Sequence, residues 1–320
     1  MLGEGEMTTL VVQDEVAEER HRFIEKLTPY LFISPWILGF LFFTLGPLIF
    51  SFIMSFYDWP VVGERTFVGL QNYQVMLTED PLFWDSLWIT VKFGLFFVPF
   101  NVILGLLLAV LLNQKVIGTG FFRTIFYLPS VISGVALVTI WAWIYSHEYG
   151  ILNFLLGLAG IEGPNWLGDP NWSLLAIVIA SLWGLGGTML ILLTGLQSIP
   201  KELYEAAKIS GVPAWARLVY ITIPMLSPML LFTVITSIIS AFQQLTIALL
   251  LTGGGPLEST YFFAMYIYDN AFKYFEMGFA AANSWVMFLI ILALSMMVLK
   301  SSSAWVYYEG EMKKTEANDD

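Results

Sequence analysis

The chain has 320 residues, 58% of them hydrophobic and only 12% charged, with a net charge of −11. Soluble globular chains carry about 25% charged residues, so an ordinary water-soluble fold is excluded, and the acidic balance argues against nucleic acid as a partner. Cysteine is absent, which removes disulfides and thiol chemistry.

Residues 1–28 are polar and acidic and lack the early apolar core of a signal peptide, so a cytoplasmic tail is expected there. Within it, residues 8–26 fit either an amphipathic surface helix or an unstructured tail. Six apolar runs follow, at about 31–56, 87–112, 122–146, 173–195, 226–251 and 279–300. Each reaches the roughly 20 residues that cross the hydrocarbon core as a helix. They are continuous in Leu, Ile, Phe and Val, not the alternating ten-residue strands of a transmembrane barrel. The expectation is an all-α integral membrane protein, a six-helix transmembrane bundle over 29–302, with an acidic tail at 303–320. Pro35, Pro47, Pro99, Pro129 and Pro228 predict breaks within spans. Such breaks are tolerated inside a bundle, as bends along a pathway or as packing kinks.

Lys and Arg collect on the cytoplasmic side of membrane proteins. Eleven of the 14 basic residues fall in the tails and in the loops after spans two and four; Arg65, Lys92 and Lys273 fall on the other side. Both termini and the loop at about 196–225 are therefore expected inside. The outer loops, about 57–86, 147–172 and 252–278, carry Trp59, Trp84, Trp88, Trp166 and Trp172, as an interfacial aromatic belt would.

The loop at 196–225 is a short amphipathic segment between two long apolar runs. Ser198 and Pro200 read as a helix start, and Glu202 and Glu205 sit where the helix dipole favours acids. Leu203, Ala206, Ala207 and Ser210 recur at helical spacing and share a small-residue face. Gly211 predicts a stop, and Pro213 a second helix lying along the membrane surface. Ile221 and Pro224 then lead into span five. The residues alone allow a simple connector or a helix that enters a partner's groove.

Glu205-Ala206-Ala207, three residues, Gly211, nine residues, Ile221 and then Ile223-Pro224 resemble the signature of the membrane subunits of binding-protein-dependent ABC importers, with Ile223 where Leu is usual. Val68-Gly69-Leu70-Gln71-Asn72-Tyr73, Tyr127-Leu128-Pro129, Gln197 to Tyr204 and Leu251 to Pro256 extend the resemblance to the carbohydrate branch, the maltose-type and glycerol-3-phosphate-type permeases. It covers roughly residues 28–300. It implies the type I ABC importer permease class, with a second homologous permease subunit, two ATP-binding cassette subunits and an extracellular solute-binding protein as partners, all in membrane lipid. It also implies ATPase coupling through Glu205, Ala206, Ala207, Gly211, Ile221 and Pro224. The chain has no G-x-x-x-x-G-K-[ST] loop, so ATP is expected on partner subunits, with no cofactor and no enzymatic activity of its own.

Polar groups inside spans are functional candidates by default. Ser237, Ser240 and Gln244, with Gln243 beside them, lie in span five; Trp183 and Gly184, near Gly186 and Gly187, lie in span four. Amides and hydroxyls suit sugar hydroxyls, and an indole suits a sugar face. In related maltose-type permeases the sugar contacts these two spans. The competing role is helix–helix hydrogen bonding and small-residue packing. No metal-ligand set is expected, since His21 and His147 stand apart. A secondary transporter or channel is the alternative; it would usually carry intramembrane acids or Arg, whereas the only charge of note here is Lys92, near an outer end.

Overall fold

A computed structural model describes residues 28–114 and 117–307. The possible helix at 8–26 and most of both expected tails lie outside these residues. In chain order the elements are α1 (Thr28–Met54), a hairpin of β1 (Tyr57–Asp58) and β2 (Thr66–Phe67), α2 (Gln71–Thr78), α3 (Pro81–Leu112), α4 (Thr119–Val131), α5 (Gly134–Ile144), α6 (Ile151–Leu158), α7 (Pro170–Leu182), α8 (Gly186–Ser198), α9 (Lys201–Ile209), α10 (Ala214–Phe242), α11 (Phe263–Phe272) and α12 (Met277–Ser302). α1, α3, α10 and α12 are each long and apolar enough to cross a membrane. α4 with α5, and α7 with α8, do so only as bent pairs. The six-span, all-α expectation therefore holds, but not as six straight rods.

Three differences from the sequence reading matter. Span three is not continuous over 122–146: it turns by 101° between Val131 and Gly134. Ile132 and Ser133 are extended there, and Ser133 caps the new helix by accepting from the Ala136 N–H. Span four bends by 48° across Trp183-Gly184-Leu185. Span five begins at Ala214, not near 226, and its regular helix stops at Phe242. The expected second surface helix after Pro213 is thus the first part of α10 itself.

α10 survives Pro224 through a local device. A proline lacks an N–H and crowds the carbonyl four residues back. The turn before it, Leu218–Thr222, is a wider π turn, closed by the Ile223 N–H donating to the Leu218 carbonyl. α1 repeats the arrangement, with Leu41–Leu45 as the π turn, the Gly46 N–H donating to Leu41, and Pro47 next.

α3 is the central post and packs against α8 and α10. Gly105 lets Thr188 of α8 lie against it. Asn101 of α3 donates to Thr188 Oγ1 at 3.0 Å and to Ser237 Oγ of α10 at 2.9 Å. One buried amide therefore joins three spans, which is how polar side chains hold helices in lipid, where apolar contact alone gives no net drive. α1 lies at the periphery, and its apolar stretch buries nothing within the chain. At that end Asn72 donates to the carbonyls of Ser55 and Tyr57, each at 2.9 Å, and the Tyr73 and Ser55 hydroxyls pair at 2.7 Å. The Gln71-Asn72-Tyr73 motif is thus a clamp between α1 and α2.

Candidate functional site

The first site is the loop between α8 and α10. Ser198 does not cap α9. Its hydroxyl bonds back to the Gly195 carbonyl at the end of α8, and Pro200 occupies the N-cap without a side-chain bond. Glu202 lies in the first turn and Lys208 in the last, both matching the helix dipole. α9 ends in a Schellman motif: the Val212 N–H donates to the Ala207 carbonyl at 2.9 Å, and the Gly211 N–H to Lys208 at 3.0 Å. Gly211 has φ +74°, the left-handed conformation this cap requires.

α9 stands on the bundle through one face. Tyr204 packs against the buried cluster that includes Leu192, Leu196 and Leu226, and its hydroxyl pairs with Thr222 Oγ1 at 2.9 Å. Thr222 belongs to α10, so α9 is tied by this bond to a helix long and apolar enough to cross a membrane. The opposite face is open. Leu203, Glu205, Ala206 and Ser210 are exposed, Ala207 is half-buried beside the Tyr204 face, and Ile209 is 89% exposed. The predicted four-residue face therefore splits, with Ala207 turned inward. Ile221 lies in the π turn and is half-buried; Pro224 follows it, also half-buried. Behind α9 a cavity of about 450 Å³ opens between Gln114, Trp215 and Arg217.

The second site is where the three broken spans meet. Gln244 follows the end of α10 and donates to Ser181 Oγ of α7 at 3.3 Å. Trp183, at the span-four bend, lies edge-on to Trp141 of α5, with ring centroids 5.9 Å apart. A Cβ on Gly134, just past the span-three break, would meet Thr246 at 3.0 Å. The level is near the middle of α3, since a Cβ on Gly94 would touch Ala241 at 3.6 Å. Gln243 and Ser240 are exposed in the isolated chain, and Gln244, Trp183 and Gly184 are half-buried.

One expected substrate residue is instead closed into the packing, and a glycine beside the proposed surface serves helix contact. Ser237 is 4% exposed and accepts from Asn101, so it braces helices instead of lining a chamber. Gly186 does permit a close approach, but by span three: a Cβ there would fall 2.7 Å from the Phe126 carbonyl oxygen and from Tyr127 Cα. This seats the Tyr127-Leu128-Pro129 motif on α8. Sequence reasoning missed Asn101, an intramembrane amide open to the same test that singled out Gln244. It also missed Trp141, whose buried indole N–H has no partner among the described residues. No periodicity signals the latter.

An apolar bundle with three broken spans, and an exposed helix projecting from it, is the architecture of a multi-pass membrane protein. Residues 101–308 match the family model described as binding-protein-dependent transport system inner membrane component. The chain belongs to this family. It is 38% identical over 301 residues to the probable ABC transporter permease protein YesP of Bacillus subtilis, covering 92% of this chain and 97% of that one. It is 35% identical over 281 residues to the trehalose/maltose transport system permease protein MalF of Thermococcus litoralis, covering 87% and 95%. Its fold matches, with a TM-score of 0.76 at 20% identity over 88% of this chain and 96% of that one, a chain of a bacterial alginate ABC transporter in complex with an alginate pentasaccharide-bound periplasmic protein.

Proposed function

We propose that this chain is one of two permease subunits of a sugar importer and couples ATP hydrolysis on partner subunits to alternating access. The observation that carries this is α9, a helix followed by a tight turn at Gly211, with Glu205, Ala206 and Ile209 outward and Tyr204 bonded to α10 through Thr222. Two ATP-binding cassette subunits would each take such a helix into a cleft, one from this chain and one from the second permease. Closure on ATP would draw α9 inward and tilt α10 with it. The asymmetry of basic residues supports an orientation with α9 and both termini in the cytoplasm and the loops at 57–86, 147–172 and 252–278 outside.

Gln244, Gln243, Ser240, Trp183 and Gly184 form the proposed substrate surface. Broken helices expose backbone polar groups at mid-membrane only where these line a cavity or pack in protein, and three breaks meet here. The exposed Ser240 and Gln243 would face the second permease across the pathway. An extracellular solute-binding protein would deliver the sugar; the alginate transporter of the same fold is in complex with a periplasmic protein that carries a pentasaccharide.

The test is Glu205→Lys in the assembled complex. We expect the variant to insert normally while losing the ATPase subunits on purification, or binding-protein-stimulated hydrolysis. Normal uptake by the variant would overturn the coupling role of α9.

A further inference from the structure

We propose that α6 is an interfacial helix whose outward face is embedded in the head-group and upper acyl region of the bilayer leaflet opposite α9. The proposal goes beyond the importer reading and needs only the membrane spans. α6 inverts the amphipathic pattern of a helix in water, which turns its apolar stripe to the core. Ile151, Phe154, Leu155 and Leu158 recur at i, i+3, i+4 and i+7 and share one face. All four are exposed, Phe154 at 64% and Leu158 at 72%, and exposed Ile161 continues the patch past the helix. Leu152, Asn153 and Leu156, on the inward side, are half-buried. Apolar residues scattered singly over a surface need no explanation, but a contiguous patch marks a contact.

The surroundings of α6 identify lipid as that contact. Its one polar side chain is spent inward. Asn153 Nδ2 donates to the carbonyls of His147 at 3.3 Å and Pro164 at 3.2 Å, and Asn153 Oδ1 accepts from the Trp166 indole N–H at 2.7 Å. The end of the helix closes on itself: the Leu156 carbonyl accepts from the N–H groups of Ala159 and Ile161, and the Gly157 carbonyl from Gly160, each at 3.0 Å. Backbone groups satisfied within the chain are what a lipid environment demands. The exposed face carries no charge; Glu148 and Glu162 stand exposed beyond either end of the helix.

The depth follows from the neighbouring indoles. Trp166, bonded to α6, lies edge-on to Trp172 with ring centroids 5.3 Å apart, and Trp143 in the last turn of α5 is exposed. Indoles collect at the head-group level. Trp143, His147, Glu148, Asn153 and Phe154 line one depression of about 410 Å³, so the exposed surface of α5 runs on into the apolar face of α6. Eight residues of helix extend only about 12 Å, too little to cross the hydrocarbon core, so α6 lies along the boundary. A docking protein that binds and departs would return this face to water in every cycle, whereas lipid is always present. α6 thereby holds the outer end of span three. α5 has only 11 residues beyond a 101° turn, and Leu152 packs with Trp141 against the cluster around Tyr145.

The chain has no cysteine, so single cysteines report without background from it. Phe154→Cys, Leu158→Cys and, as a water-exposed control, Glu162→Cys each carry an environment-sensitive fluorophore. They are read in the full complex in nanodiscs, with the partner subunits freed of cysteine. The quenchers are aqueous iodide and lipids spin-labelled either near the head group or near the chain end. At Phe154 and Leu158, iodide quenching is expected to be about fivefold or more weaker than at Glu162, and the shallow lipid probe about twofold or more stronger than the deep one, as for a helix at the head-group boundary. Iodide access equal to that at Glu162 would overturn the proposal by leaving the face in water. Protection from iodide and from both lipid probes would overturn it by placing protein there, whether the second permease or a docked binding protein. Each position is read separately, so a complex that fails to assemble with one label leaves the other to decide.

Discussion

Replacing Gly211 tests whether backbone conformation alone sets the bend after α9. The residue sits at φ +74°, where a side chain on an L-residue costs roughly 1–2 kcal/mol. A Cβ built there meets no heavy atom within 4 Å, so the surroundings add no steric penalty. Gly211→Ala should weaken the cap by about 1–2 kcal/mol. Gly211→Asn should cost less, because Asn visits this region several-fold more often than other residues, and Gly211→Val more, because branching at Cβ disfavours it further. The readout is hydrogen exchange at the Val212 amide, which is protected by the Ala207 carbonyl at 2.9 Å. If exchange proceeds by local opening, the Ala variant should exchange roughly five- to thirtyfold faster. Unchanged exchange in the Ala variant would refute the left-handed cap. Equal acceleration by Asn and Val would show that crowding, not φ, controls the turn.

Asn101→Leu removes both bonds that join α3 to Thr188 and Ser237. Interhelical bonds in membranes average about 0.6 kcal/mol each, so a loss of about 1–2 kcal/mol is expected in a detergent-unfolding assay; an unchanged midpoint would contradict the brace. Gln244→Leu should leave assembly intact and weaken the apparent affinity for sugar in stimulated ATPase assays; an unaltered affinity would remove Gln244 from the substrate surface. For Glu276 the sign is set by its raised pKa. The folded form holds the proton more tightly than the unfolded chain, so the favourable contribution is full below the ordinary carboxyl value and is lost as pH rises through the folded value. Glu276→Gln should therefore raise the thermal midpoint at about pH 7.5 and have little effect near pH 4. A stabilisation that is the same at both pH values would rule out charge repulsion from Asp58 and Asp80 as its cause.

Some of this was readable because its cause is local or additive. Hydrophobic runs longer than a bilayer force helices whatever their neighbours do, so the six spans could be counted from composition. Gly211 could be placed because a left-handed cap is written into one residue, and the spacing from Glu205 to Pro224 is a linear pattern. The breaks were less readable. Pro129 and Pro228 predicted kinks, yet the sharpest turn falls at Ile132–Ser133 and the end of α10 at Gln243, neither at a proline. Pro224, expected to lead into span five, lies inside one continuous helix because a π turn before it absorbs the ring.

By itself, then, the sequence determined the class of protein, the number of spans and the helix that projects from them, since these follow from burial in lipid and from single-residue backbone preference. Only the tertiary structure decided which polar residues are closed into a network between helices and which stand where the spans break. Ser237 and Gln244 look alike as intramembrane polar groups two turns apart. One faces Asn101 and Thr188 in a closed network, and the other reaches Ser181 at the meeting of three broken spans. That difference depends on which helices lie alongside, a long-range packing outcome that no local pattern encodes.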